Sequence, residues 1–196
     1  MEVIIFMFIT LMPAILAGIV TMIWCKLLIL KFLNKPMDGG KCLRDGKRIF
    51  GDNKTWKGLC GYVVINILFF ILWGFLSQRS EYLQLHNYFY IDYKNTPSYN
   101  LILGVLSGLG YSLFELPNSF LKRRLDIRPG KTISGGWKVF FVFLDQADSV
   151  FGCALVVWLF YDIGLLTYIE FILVGAVTHI ILNMLLYFLH LRKNMF

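Results

Sequence analysis

Charge is scarce in this chain: only 16% of its 196 residues are Asp, Glu, Lys or Arg, against an apolar fraction of 58%. Soluble domains carry roughly a quarter charged residues and about half apolar ones, so the composition excludes an ordinary water-soluble domain. Cysteine is sparse too. Cys25, Cys42, Cys60 and Cys153 form no CxxC pair and no other metal-ligand spacing, which leaves them as free packing thiols. No internal repeat, low-complexity tract or heptad array is present. The two matching halves with broken helices found in many transporters are missing as well. Nor is there a Walker A loop, because Gly40 and Gly46 are misspaced, Arg48 follows Gly46-Lys47, and no strand precedes them.

What the chain has is apolar length, with a mean hydropathy of +0.66. Crossing a hydrocarbon core takes about 20 mostly apolar helical residues, and five runs qualify: 3–32, 57–76, 99–120, 139–161 and 166–189. The pattern predicts an all-α integral membrane protein of about five transmembrane helices, forming a single membrane-embedded domain over 1–196. The first run is too long for a secretory h-region, has only Glu2 as an early charge and lacks a small-residue cleavage pattern, so a retained helix is expected.

The basic residues are unevenly placed. Lys35, Lys41, Arg44, Lys47, Arg48, Lys54 and Lys57 follow the first run, and Lys122, Arg123, Arg124, Arg128, Lys131 and Lys138 follow the third. Arg192 and Lys193 end the chain, whereas the loop after the second run has only Arg79 and Lys94 and the loop after the fourth has neither. Under the positive-inside rule the N-terminus is expected outside, with both basic loops and the C-terminus in the cytoplasm. The tyrosine-rich segment 77–98 then reads as a plain interfacial connection, with His86 an exposed polar residue.

The third run carries Gly104, Ser107, Gly108 and Gly110, small residues that let neighbouring helices approach closely. Towards its basic end come Glu115 and Pro117, and the proline is expected to kink or locally unwind the helix. With helical spacing kept, Glu115, Ser119 and Lys122 share one face. Asn66, His179 and Asn183 read as helix–helix hydrogen-bonding residues, and Asp162 and Glu170 as interfacial ones.

Asp145 and Asp148, in "FLDQADSVFG", carry the sharpest chemical signal. Three residues apart on a helix, they project from nearly one face and repel, and a carboxylate within a bilayer costs about 3 kcal/mol on insertion scales. Two things offset such a cost: a hard divalent cation such as Mg2+, which takes one or two carboxylates plus substrate phosphates, or basic loop residues at the water boundary. The loop "KPMDGGKCLRDGKRIFGDNKTWKG" has glycines at 39, 40, 46, 51 and 58, which allow backbone N–H groups to approach an anion. Lys122, Arg123 and Arg124 precede the Asp pair, and cations for phosphates beside carboxylates for a metal are the parts that phosphoryl or nucleotidyl transfer requires. Asp38-Gly39-Gly40 matches the opening of the CDP-alcohol phosphotransferase signature, but the Ala-Arg pair and the later Gly and Asp residues of that signature are missing.

Taken in order, "FGDNKTWKG", "SFLKRRLDIRPG" and "LDQADSVFG", separated by membrane runs, resemble the CDP-archaeol synthase family, relatives of the phosphatidate cytidylyltransferases. The resemblance covers nearly the whole chain. It implies a cytidylyltransferase domain that transfers the cytidylyl group of CTP to a lipid phosphate with Mg2+, giving a CDP-lipid and pyrophosphate in phospholipid biosynthesis. By position it implies Asp145 and Asp148 as catalytic metal ligands and Lys122 as a catalytic cation. Asp52, Lys54, Thr55, Trp56, Ser119 and Arg123 are implied to bind substrate. The expected partners are CTP and a membrane lipid phosphate, with no nucleic acid and the oligomeric state open, and the expected location is the cell membrane with the site facing the cytoplasm. Two departures stand out: Lys131 where an acidic residue is common, and an added segment over about 131–144, with Gly135-Gly136 as a hinge. A non-catalytic transporter or lipid-binding scaffold is the alternative.

Overall fold

The structure is a computed structural model that describes residues 2–131 and 135–190. The readings placed on Arg192, Lys193 and residues 132–134 lie outside that range. Six α-helices follow in order: α1 (Glu2–Lys26), α2 (Trp56–Ser77), α3 (Glu81–Leu85), α4 (Pro97–Arg124), α5 (Lys138–Phe160) and α6 (Gly164–Phe188). All but the short α3 are long and apolar enough to cross a membrane. Among the described residues the only β-pairing consists of two isolated bridges within the first basic loop, Pro36 with Thr55 and Cys42 with Arg48.

Four of the five spans match their apolar runs closely, but α1 stops at Lys26 rather than running on to 32. The apolar residues Leu27 to Leu30 leave the helix because Lys57 Nζ donates to the Leu27 carbonyl at 2.5 Å and Leu30 turns into the left-handed region at φ 47°. A lysine at a helix C-terminus satisfies an orphan carbonyl and complements the helix dipole. The expected local unwinding at Pro117 does not occur: α4 runs unbroken through it. The proline removes one intrahelical bond, and α4 is supported on either side by α2 and α5.

These supports are close. A Cβ on Gly104 would lie 2.6 Å from the Ile67 Cα of α2, and one on Gly152 of α5 would lie 2.1 Å from the Gly110 carbonyl oxygen of α4. Only glycine permits such backbone contact. Asn66 Nδ2 donates to the Gly104 carbonyl at 2.8 Å across the first of these crossings. α1 packs on α2 and α6 on α5, while α1 and α6 touch each other sparsely.

Segment 78–96 is more than a surface connection. Phe89 and Asn87 are fully buried, the Tyr88 N–H donates to Thr10 Oγ1 at 3.0 Å, and Phe89 meets Phe70 edge-on at 5.8 Å. The aromatic side chains close that end of the bundle by burial as well as by interfacial anchoring. His86 stacks on Tyr82 at 4.1 Å.

Candidate functional site

At the basic end of the bundle, the first loop folds around one carboxylate. Asp38 Oδ1 accepts from the Gly40 N–H at 3.0 Å and Arg48 Nη2 at 2.7 Å. Its Oδ2 accepts from Arg48 Nε at 3.2 Å, the Phe50 N–H at 3.0 Å and the Gly51 N–H at 2.9 Å. Burial alone would raise the Asp38 carboxyl, but Arg48 and the Gly51, Phe50 and Gly40 amides hold it well below the usual carboxylate range.

The glycine N–H groups expected to cradle a phosphate are therefore committed inside the loop. Besides Gly40 and Gly51, the Gly39 and Gly46 amides donate to the Pro36 and Leu43 carbonyls, and the Gly58 amide donates to Thr55 Oγ1 at 3.1 Å. Thr55 is the N-cap of α2, a role that satisfies an orphan donor of the first turn. Asp52 pairs with Arg48 Nη1 at 2.8 Å, and Trp56 opens α2 half-exposed. None of Asp52, Thr55 and Trp56 lines the cavity described next.

The loop is strapped to the end of α4. Arg124 bonds Asp45 at 2.6 Å and the carbonyls of Lys47 and Arg48, while Lys47 Nζ returns to the Arg124 carbonyl and to Asp126. The backbone N–H of Lys47 and the nearby Arg124 lower the Asp45 carboxyl. Arg124 thus fastens the two basic loops together.

Between the strapped loops and the helices lies a cavity of about 490 Å³, and the remaining expected residues converge on it: Lys54, Ser119, Lys122, Arg123, Asp145 and Asp148. α4 contributes Glu115, Asn118, Ser119, Lys122 and Arg123 along one face, and α5 contributes the two aspartates one turn apart. Lys122 Nζ contacts both Asp145 oxygens, at 2.9 and 2.7 Å. Asn118 Nδ2 donates to Asp145 Oδ1 and to Asp148 Oδ2, each at 2.8 Å. Asp148 is buried, and its other oxygen accepts from the Ser149 N–H at 2.7 Å. Among the described residues no ion pair reaches it.

Two cations in the cavity differ in their neutralisation. Lys54 pairs with Glu115: burial opposes its charge, and the adjacent carboxylate more than compensates, raising the ammonium above its ordinary range. Arg123 is buried, and among the described residues its Nε and Nη1 have no hydrogen-bond partner. Lys131 lines the same cavity, so the residue that departs from the acidic pattern adds a further positive charge. Deeper inside, Asn183 donates to Gln146 Oε1, and Tyr111 stacks on Tyr62 at 4.0 Å.

The donor set suits a hard divalent cation. It offers, among the described residues, two carboxylates, one of them buried without a cationic partner, and a buried amide oxygen, Asn118 Oδ1, without a donor. Among the described residues no group of three or more His, Cys, Asp and Glu side chains could hold a metal. Two carboxylates are a number that Mg2+ commonly takes from a protein, with water and phosphate oxygens completing its shell.

A family model for CarS-like CDP-archaeol synthases matches residues 1–196. The chain belongs to this family. It is 35% identical over 117 residues to a CDP-archaeol synthase of Methanocorpusculum labreanum, a match spanning 60% of this chain and 56% of the relative. With the Thermofilum pendens CDP-archaeol synthase it shares 28% identity over 182 residues, or 92% of this chain and 76% of that one. With that of Pyrococcus furiosus it shares 39% over 97 residues, 48% of each. The matches to the first and third of these relatives span about half of the relative's own length. A solved structure of an intramembrane enzyme for archaeal membrane lipid biosynthesis superposes with a TM-score of 0.60 at 23% identity, covering 90% of this chain and 92% of the other. At that identity the likeness establishes the shared helical fold.

Two residues central to this geometry were not singled out from the sequence as site residues. Asn118 stands just before the motif that opens at Ser119, and an amide after a proline carries no periodic signal. In the sequence Asp38 is marked only by the CDP-alcohol phosphotransferase-like opening, because three of its five donors are backbone amides that composition does not reveal.

Proposed function

We propose that the protein is a CTP-dependent lipid-phosphate cytidylyltransferase, joining the cytidylyl group of CTP to a membrane lipid phosphate and releasing pyrophosphate. The observation that carries this reading is Arg123, whose guanidinium finds no hydrogen-bond partner at Nε and Nη1 among the described residues and whose side chain lines the same cavity as the Asp145 and Asp148 pair. An unpaired buried cation demands an anion, and a triphosphate supplies one.

In this reaction an oxygen of the lipid phosphate attacks the α-phosphorus of CTP. The bond from that phosphorus to the oxygen of the departing pyrophosphate breaks as the new one forms. The attacking group is already an anion at neutral pH, so no protein base or nucleophile is required. Arg123, Lys54, Lys122 and Lys131 place positive charge around the polyphosphate, and catalysis rests on positioning and electrostatics. Glu115 keeps Lys54 charged in its part-buried position. Asp145 and Asp148 would hold Mg2+, which when bound supplies neutralisation of the charge on the leaving phosphates.

The setting fits a lipid substrate. A smaller apolar cleft lined by Met7, Leu11, Phe171 and Val174 shares Ala14, Ile15, Tyr111 and His179 with the main cavity, and it lies where α1 and α6 are loosely joined. A hydrocarbon chain entering there leaves its phosphate at the polar end. The excess of Lys and Arg in the two strapped loops supports a cytoplasmic site in the cell membrane, with the N-terminus outside.

The test is an assay with purified protein, labelled CTP and Mg2+, offering an isoprenoid ether lipid phosphate and a diacyl phosphatidate separately. CDP-lipid and pyrophosphate should form in equal amounts with at least one of them, and Asp145→Asn or Asp148→Asn should abolish the product while the protein still inserts in the membrane. Absence of product with either lipid would turn the reading towards a transporter or scaffold.

A further inference from the structure

We propose that Asn118 is a third protein ligand of the divalent cation, through its side-chain oxygen; this rests on the metal reading of the Asp145 and Asp148 pair given above. The amide occupies the place a cation would take. Its nitrogen sits 2.8 Å from an oxygen of each aspartate and bridges the two carboxylates. Asn118 is 7% exposed, and among the described residues its Oδ1 has no hydrogen-bond partner.

A buried acceptor left unsatisfied costs about 1–3 kcal/mol, and the site already supplies the remedy. An asparagine amide is nearly symmetric in shape, so a half-turn exchanges Oδ1 and Nδ2. Without a cation, the NH2 group facing the carboxylates relieves their repulsion. With a cation between the aspartates, the NH2 group would face a positive charge, and the half-turn brings the oxygen to the ion. Asn118 then serves both states, as a bridging donor in one and an oxygen ligand in the other. Its oxygen is neutral, so the third ligand adds no charge to a site whose remaining positions are left for phosphate oxygens. Lys122 already neutralises Asp145 from the other side, and a third carboxylate here would oppose an incoming triphosphate.

The test measures Mn2+ binding to the full-length purified protein by electron paramagnetic resonance, with Mn2+ standing in for Mg2+. Asn118→Leu, which keeps the volume and removes both polar atoms, should weaken Mn2+ binding at least about tenfold. Asn118→Asp cannot donate to the carboxylates but keeps an oxygen, so it should bind Mn2+ at least as tightly as the wild type. A role confined to bridging the carboxylates stabilises only the cation-free site, so its loss would leave Mn2+ binding in Asn118→Leu unchanged or tighter. Direct ligation is read from protein carrying 13C at asparagine carboxamide carbons: electron–nuclear double resonance should show a 13C coupling to bound Mn2+ that is absent from Asn118→Leu at saturating Mn2+. Unchanged affinity in Asn118→Leu, or a wild-type spectrum without that coupling, would overturn the assignment while leaving the aspartate pair in place. Wild-type protein that binds no Mn2+ would overturn the metal reading and this proposal together.

Discussion

Replacing Asp38 with asparagine should release the first basic loop. The carboxylate has 0% side-chain exposure and takes five hydrogen bonds, two of them from the Arg48 guanidinium. An amide in its place offers one acceptor oxygen. Whichever way it turns, the donors on one side lose their partner, including either the Gly40 amide or the Phe50 and Gly51 amides. Breaking a buried charged pair costs about 3–5 kcal/mol. Arg48 keeps Asp52 and part of its hydration, so the lower end applies, about 3 kcal/mol, or roughly a hundredfold in the local opening equilibrium. Hydrogen exchange followed by mass spectrometry in detergent should register this over peptides spanning 38–54, with the helices unaffected. Asp38 also fixes the sign of the pH dependence. Its folded carboxyl lies below its unfolded value of about 3.9, so its contribution is fully present above that pH and is lost as pH falls through the folded value. The wild-type loop should therefore stay closed from neutral pH to about pH 4. Exchange in Asp38→Asn that matched the wild type would refute the claim that this carboxylate organises the loop.

Arg123→Gln should raise the KM for CTP by more than tenfold while leaving the thermal midpoint unchanged or higher, because Nε and Nη1 form no hydrogen bond among the described residues; a lowered midpoint with unchanged KM would point to a structural role. Gly152→Ala should lower the thermal midpoint by the equivalent of about 1–3 kcal/mol, since the added Cβ meets the Gly110 oxygen at 2.1 Å; a neutral effect would mean that α4 and α5 can separate freely. Lys54 is raised by Glu115, so its charge persists below its ordinary value of about 10.4 and is lost only above it. Glu115→Gln removes that support, so the alkaline limb of the pH–rate profile should move to lower pH; an unmoved limb would sever Lys54 from the reaction.

Much of the membrane architecture was legible because a span announces itself by length: about 20 apolar residues have no other simple home. The same rule overran at the end of α1, where Leu27 to Leu30 are apolar but Lys57, 30 residues on, takes the Leu27 carbonyl. The aspartate pair was legible because two carboxylates at helical spacing in an oily run conflict with local physics. Asn118 creates no such conflict, since a lone amide in a membrane helix is commonly satisfied by a neighbour. The glycines misled in an instructive way. They mark left-handed turns, as at Gly40 with φ 80° and Gly51 with φ 98°, but their amides serve an internal carboxylate. A glycine-rich loop that carries its own aspartate folds around that anion first.

The glycine contact between α4 and α5 lies close to the cavity. Gly110 is eight residues from Asn118 and Gly152 is four from Asp148, about 12 and 6 Å along their helices. The relative register of these two side chains is therefore set by main chain touching main chain, which cannot be adjusted by swapping one rotamer for another. Variation in the α4 and α5 side chains must preserve that crossing, whereas the apolar residues of α1 and α6 that line the smaller cleft, such as Met7, Leu11 and Val174, can change without moving it. On the proposed function, the α4–α5 crossing would hold the phosphate-facing groups fixed, and changes in lipid preference are expected to accumulate along the cleft between α1 and α6.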